Sequence, residues 1–149
     1  TDAGLDFYGG QLTYTGDSYG ASVTYANLDL GTAWGLNGYY AFASDLPSIS
    51  VGYEFTEAEA GVVAVGEAES TQWFVGLQWD ELGNGTLGVA LGSRGPQIED
   101  AEEDMAYELF YTYNVNDSMS ITPAIFILED NDPGADDQTG VVVKTSFSF

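Results

Sequence analysis

The chain has 149 residues, 24 of them Asp or Glu against two Lys or Arg, so its formal net charge is -22 although only 17% of residues are charged. With 14% aromatic and 44% hydrophobic residues it is too apolar for an acidic disordered tail, and two cations cannot neutralise a row of phosphates, so disorder and nucleic-acid partners are excluded. The lack of His and Cys removes Ser-His-Asp and Cys-His nucleophiles, thiolate chemistry, disulfides and the usual zinc sites, and the chain is not read as an enzyme.

No apolar run approaches the ~18 residues of a membrane-spanning helix, a test that leaves a strand-built barrel open. No basic, apolar leader precedes the first element in this numbering, so a targeting segment is expected to have been removed or to lie outside it. Along the chain the apolar residues recur with a period of two. The first segment, Leu5 to Thr15, carries Tyr8, Leu12 and Tyr14 on its apolar parity. From Ser18, Tyr19, Ala21, Val23 and Tyr25 alternate with Gly20, Ser22, Thr24 and Ala26. Ala33 to Ala43 sets Trp34, Leu36, Gly38, Tyr40 and Phe42 against Gly35, Asn37, Tyr39 and Ala41. Ile49, Val51, Tyr53 and Phe55 follow, then Trp73, Val75, Leu77 and Trp79, then Leu87, Val89 and Leu91. Tyr107, Leu109, Tyr111 and Tyr113 precede Met119, Ile121, Ile125 and Ile127, and Val141, Val143, Thr145, Phe147 and Phe149 close the chain. No segment keeps helical spacing over three turns. The pattern predicts a single domain over 1–149, all-β, with about nine antiparallel strands (about eight to ten) in an up-and-down meander.

The connections are expected at Gly16-Asp17, Asn27 to Thr32, Ser44 to Pro47, Glu57 to Ser70, Glu81 to Gly85, Gly95 to Asp104, Asn116-Asp117 and Glu129 to Thr139. Short and long alternate, as they do in outer-membrane barrels with short periplasmic turns and long outer loops. Acids gather in the long set: Glu57, Glu59, Glu67 and Glu69; Glu99, Asp100, Glu102, Glu103 and Asp104; Glu129, Asp130, Asp132, Asp136 and Asp137. Most of the charge is therefore expected on one rim.

Laid in alternating directions, the strands collect Tyr14, Tyr19, Tyr40, Phe42, Trp79, Tyr113 and Phe149 at one end of the apolar face. Tyr8, Tyr25, Trp34, Tyr53, Phe55, Trp73 and Tyr107 gather at the other. Between them lie aliphatic residues such as Val23, Leu36, Val51, Val75, Val89, Leu109 and Ile125. Two aromatic belts around an aliphatic band suit a transmembrane β-barrel in lipid; a soluble β-sandwich would place its aromatics mid-face. The opposite parity is small and polar, fit for a solvated lumen or a tightly filled small barrel.

The closing Gly-Val-Val-Val-Lys-Thr-Ser-Phe-Ser-Phe resembles the terminal strand read by the outer-membrane assembly machinery, with Val143, Thr145, Phe147 and Phe149 as the signal. Tyr113 to Ile127, with Asn116-Asp117 before Ser120-Ile121-Thr122-Pro123-Ala124, resembles the penultimate hairpin of cyanobacterial porins of the iron-uptake or carbohydrate-selective (OprB-type) group. Trp34-Gly35-Leu36, Pro47 to Gly52 and Trp73 to Trp79 are similar to the same family. The resemblance implies a passive outer-membrane channel for small solutes, ions or sugars, with about sixteen strands. It also implies partners: outer-membrane lipid, the assembly machinery, a missing N-terminal half of the barrel and a homotrimer. The surface-layer-homology segment often found upstream in that group is absent from this sequence. Because single-chain bacterial barrels have even strand numbers, nine strands imply the C-terminal half of a barrel; a closed eight- or ten-stranded barrel suits the length equally.

Four charges are expected to face the lumen: Glu54, Glu108, Arg94 and Lys144. The carboxylate pair invites a glycosidase reading, but the two lie on strands separated by two others with no apolar pocket evident, so a bias on ion passage is preferred. Arg94 and Lys144 either form a constriction or neutralise neighbouring carboxylates. The inward aromatics Tyr39, Phe74, Phe110 and Phe126 serve as a sugar-stacking track or as wall packing. Asp130 to Asp137 is oxygen-rich enough for Ca²⁺ but lacks EF-hand spacing, so no cofactor and no metal are expected. Pro123 falls inside a strand, where it removes a ladder donor. The preferred function is a porin whose acidic rim favours cations; the alternatives are a small closed barrel serving as anchor or adhesin, and a soluble acidic carbohydrate-binding sandwich.

Overall fold

The structure, a computed structural model, describes residues 7–28, 31–43, 45–58, 69–95, 97–98, 103–131 and 134–148. Its strands are β1 (Phe7–Thr15), β2 (Tyr19–Leu28), β3 (Gly31–Tyr40), β4 (Ser48–Ala58), β5 (Glu69–Trp79), β6 (Gly85–Ser93), β7 (Gln97–Ile98), β8 (Met105–Asn116), β9 (Met119–Leu128) and β10 (Gln138–Phe147). They form one antiparallel sheet in the order β1-β2-β3-β4-β5-β6-β8-β9-β10, with β7 paired to β5. Every expected strand is present, because alternation over eight or more residues leaves one pleated solution for a half-polar chain. No helix occurs among the described residues. All the described strands belong to this one sheet.

The sheet is open. β1 pairs only with β2 and β10 only with β9 among the described residues. With nine strands in the path, β1 and β10 run in the same direction, from the rim that carries most of the acids to the opposite rim.

Two connections differ from expectation. Asn27 pairs with Thr32 and Leu28 with Gly31, so only Asp29 and Leu30 join β2 to β3, and the six-residue loop expected there is a tight hairpin. Strict alternation of short and long connections therefore fails, since residues 41–47 between β3 and β4, on the opposite rim, are the longer segment. Gly31, which opens β3, sits at φ 149° against the Glu57 carbonyl and Ala58 Cα of β4, where a side chain has no room.

The second difference lies after β6. The β5–β6 register pairs Phe74 with Gly92, whereas the β5–β7 register pairs Ser70 with Ile98, a slip of two residues. β6 and β7 thus behave as one strand interrupted by a two-residue bulge. Ser93 Oγ accepts from the Trp73 N–H at 3.0 Å where the ladder stops. The short β7 lies inside the loop expected from Gly95 to Asp104.

Candidate functional site

The sheet inverts the usual arrangement of a globular protein. Among the described residues no hydrophobic side chain is buried. The buried residues are glycines: Gly20, Gly31, Gly52, Gly85, Gly88 and Gly92. Four glycines are covered by a cross-strand ring on the polar face: Gly20 by Tyr39, Gly52 by Phe74, Gly88 by Phe110 and Gly140 by Phe126. Each ring belongs to the residue directly opposite in the register. All four expected inward aromatics thus lie against the wall, in space that a Cβ on the partner would fill, the arrangement known as aromatic rescue of glycine.

The opposite face is apolar and uncovered. Val89 in the middle of the sheet is 37% exposed, Ile125 42%, and the edge residues Leu12 and Val141 reach 74% and 71%. A Val or Leu left in water forfeits about 1.5–3 kcal/mol relative to full burial, so a face of this kind in water would oppose a domain stability of only about 5–15 kcal/mol. The face needs an apolar phase against it. A furrow of about 480 Å³ crosses it over Ala21 and Gly38, walled by Leu12, Val23, Leu36 and Val51.

Aromatic residues gather at both ends of this face. At the acidic end Trp34 packs on Tyr25 with ring centres 4.5 Å apart, and Tyr25 on Tyr8 at 6.4 Å. The register continues the row through Phe55 beside Trp34 and Tyr53 beside Trp73, with Tyr107 beyond. Two of these residues turn their polar tips to rim carboxylates: the Trp73 indole N–H donates to Glu103, and the Tyr107 hydroxyl to Glu129 at 3.1 Å. At the other end Tyr14 stacks on Tyr19 at 5.3 Å and Tyr40 meets Phe42 edge-on at 4.7 Å. Tyr19 is the register partner of Tyr40, Trp79 ends β5, and Tyr113 lies opposite Gly85. Phe149 lies outside the described residues; Val143, Thr145 and Phe147 share the apolar parity of β10.

On the polar face two hollows matter. One, of about 720 Å³, extends from Phe74 to β10 and is lined by Glu108, Phe110, Phe126, Thr112, Thr122 and Lys144. The other, of about 270 Å³, holds Glu54 with Asn37, Gln72 and Phe74. Glu54 and Glu108 therefore share a face but line separate hollows, with β5 and β6 between their strands. Thr112 and Thr122 share a hydrogen bond of 2.9 Å.

Of the two expected uses of Arg94, a constriction with Lys144 or neutralisation of neighbouring carboxylates, its contacts are of the second kind. Arg94 follows the last residue of β6, at the acidic rim, where Nη1 lies 2.8 Å from Asp130 Oδ2 and donates to the Glu129 carbonyl at 2.7 Å. Its backbone N–H donates to the Asp104 carbonyl at 2.8 Å. Asn131, which sequence reasoning missed, donates from its N–H to Asp104 Oδ1 at 2.8 Å and from Nδ2 to the Glu103 carbonyl at 3.0 Å. The Asp130 N–H donates to Asp137 Oδ1 at 3.2 Å, and Asp136 precedes it on an exposed segment. Glu57 and Glu69 face each other directly across β4 and β5. Glu59, Glu67, Glu99, Asp100, Glu102 and Asp132 lie outside the described residues. No three acidic side chains are grouped as metal ligands among the described residues.

Pro123 lies inside β9 between two neighbours. It pairs with Val143 of β10, while the β8–β9 ladder runs from Phe110–Ala124 to Tyr113–Ile121 with no pair between. The missing N–H accounts for that gap.

Comparison with family models, curated proteins and solved structures returns no match to this chain.

Proposed function

We propose that this sheet is wall of an outer-membrane β-barrel that passes small hydrophilic solutes and inorganic ions by diffusion and favours cations. The observation that carries the reading is the uncovered apolar face bounded at both ends by aromatic rows. Lipid supplies the apolar phase such a face requires, and the rows match the two interfacial girdles of membrane barrels. The polar face, with Glu54, Glu108 and Lys144 over a layer of ring-covered glycines, suits a solvated lumen. Excess carboxylates at one rim raise the local concentration of cations and lower that of anions.

The resemblance to cyanobacterial porins supports the same reading, and a barrel of about sixteen strands accommodates a sheet whose two edges are free to pair further. The open edges speak against a closed small anchor built from these nine strands alone. Planar-bilayer recordings on the protein purified from its own membrane test the proposal. Steady, ohmic currents with a cation preference are expected; an anion-selective pore or no current contradicts it.

A further inference from the structure

The one arginine of a chain with formal charge -22 stands where the acids are densest. Its Nη1 holds both the Asp130 carboxylate and the Glu129 carbonyl, and its backbone N–H holds the Asp104 carbonyl. Three chain segments meet there: the one leaving β6, the one entering β8 and the one leaving β9. Asn131 ties the last two together through Asp104 and Glu103, Asp137 accepts from the Asp130 N–H, and Glu129 N–H closes on the Met105 carbonyl at 2.8 Å. The arginine and aspartate side chains are only 27% and 18% exposed, so solvent screens this pair less than a surface pair.

We propose that Arg94 is the positioning residue of the acidic rim: it does not weaken the rim's field by adding one positive charge so much as hold Glu103, Asp104, Glu129 and Asp130 where that field acts. The inference rests on the channel reading. Like charges on separate loops repel, and without a guanidinium bridging them the segments after β6 and β9 move apart, diluting carboxylate density at the mouth. Both contacts leave one nitrogen, Nη1, at the end of a side chain one atom longer than that of lysine, so the ammonium of lysine reproduces them only in part.

This gives a prediction opposite in sign to charge counting. Removing a cation from an acidic rim should, by counting alone, increase cation preference. Positioning requires that Arg94→Gln lower the potassium-to-chloride permeability ratio, by about twofold or more, with Arg94→Lys restoring part of it. A ratio that rises or stays unchanged in Arg94→Gln overturns the proposal. Amide hydrogen exchange at Glu129 and Asn131 reports the clamp without any current. It should accelerate about tenfold in both Arg94→Gln and Asp130→Asn, while exchange in the middle of β5 stays unchanged as the check on folding. Unchanged exchange at the rim overturns the clamp. Absence of current in the unmodified protein would overturn the channel reading and the selectivity role with it, and the exchange result would still show whether the clamp exists.

Discussion

The ring of Phe110 on β8 sits over Gly88 on β6, its direct partner in the register, with three ring atoms in the space a Cβ at position 88 would take. Gly88→Ala must push the ring off the wall, an overpacking cost of about 1–3 kcal/mol. Phe110→Ala uncovers the glycine and loses a cross-strand pair, at about 1 kcal/mol. In the double variant the new methyl meets no ring, so its cost should fall below the sum of the two single costs. Guanidinium unfolding from lipid vesicles measures the cycle; strict additivity would contradict the packing described.

Adjacent residues on one strand provide a sharper test of the two faces. Val89 lies mid-band on the apolar face, and Ala90 lines the polar hollow opposite Glu108. Val89→Arg is expected to cost about 2–4 kcal/mol of folding into vesicles, the penalty for arginine at the midplane of a lipid-facing strand. Ala90→Arg should be close to neutral, since its guanidinium enters the hydrated side beside a carboxylate. Equal costs for the two would remove the distinction between the faces.

Pro123 leaves the β8–β9 ladder unpaired between Phe110–Ala124 and Tyr113–Ile121. Pro123→Val restores an N–H and a β-branched side chain, and should stabilise the sheet by about 1 kcal/mol. Slower amide exchange at neighbouring Thr122 and Ala124 would mark the repaired ladder; a less stable protein would mean that the gap is needed.

The strands and the parity of their faces were legible because a period of two persists through every segment, from Tyr19-Ala21-Val23-Tyr25 to Val141-Val143-Thr145. Cross-strand register was not, since it depends on connection lengths that composition conceals. Asn27 and Thr32 look like turn residues yet pair in the ladder, which leaves two residues between β2 and β3. Without register, the pairing of Phe110 with Gly88 cannot be seen, so wall packing, the commoner use of inward aromatics, has no named partner. Parity through Ser93 assigns Arg94 to the polar face but does not give its depth: the β6–β8 register runs on through it, with its N–H on the Asp104 carbonyl, so it stands one residue past the end of β6, at the rim. The Gly95-Pro96 dipeptide that follows it was the available signal, since proline does not continue a ladder.

The central claim, that the apolar face meets lipid with an aromatic row at each interface, is tested most directly through the three tryptophans. Trp34 and Trp73 belong to the row at the acidic rim and Trp79 to the row at the opposite rim. Single-tryptophan variants, with the other two replaced by Phe, are reconstituted in vesicles whose lipids carry bromine either near the headgroup or at the acyl-chain end. Strong quenching of all three by the headgroup-proximal bromines and weak quenching by the deep ones is the result predicted. No quenching by either lipid, or strongest quenching at the bilayer centre, would contradict it.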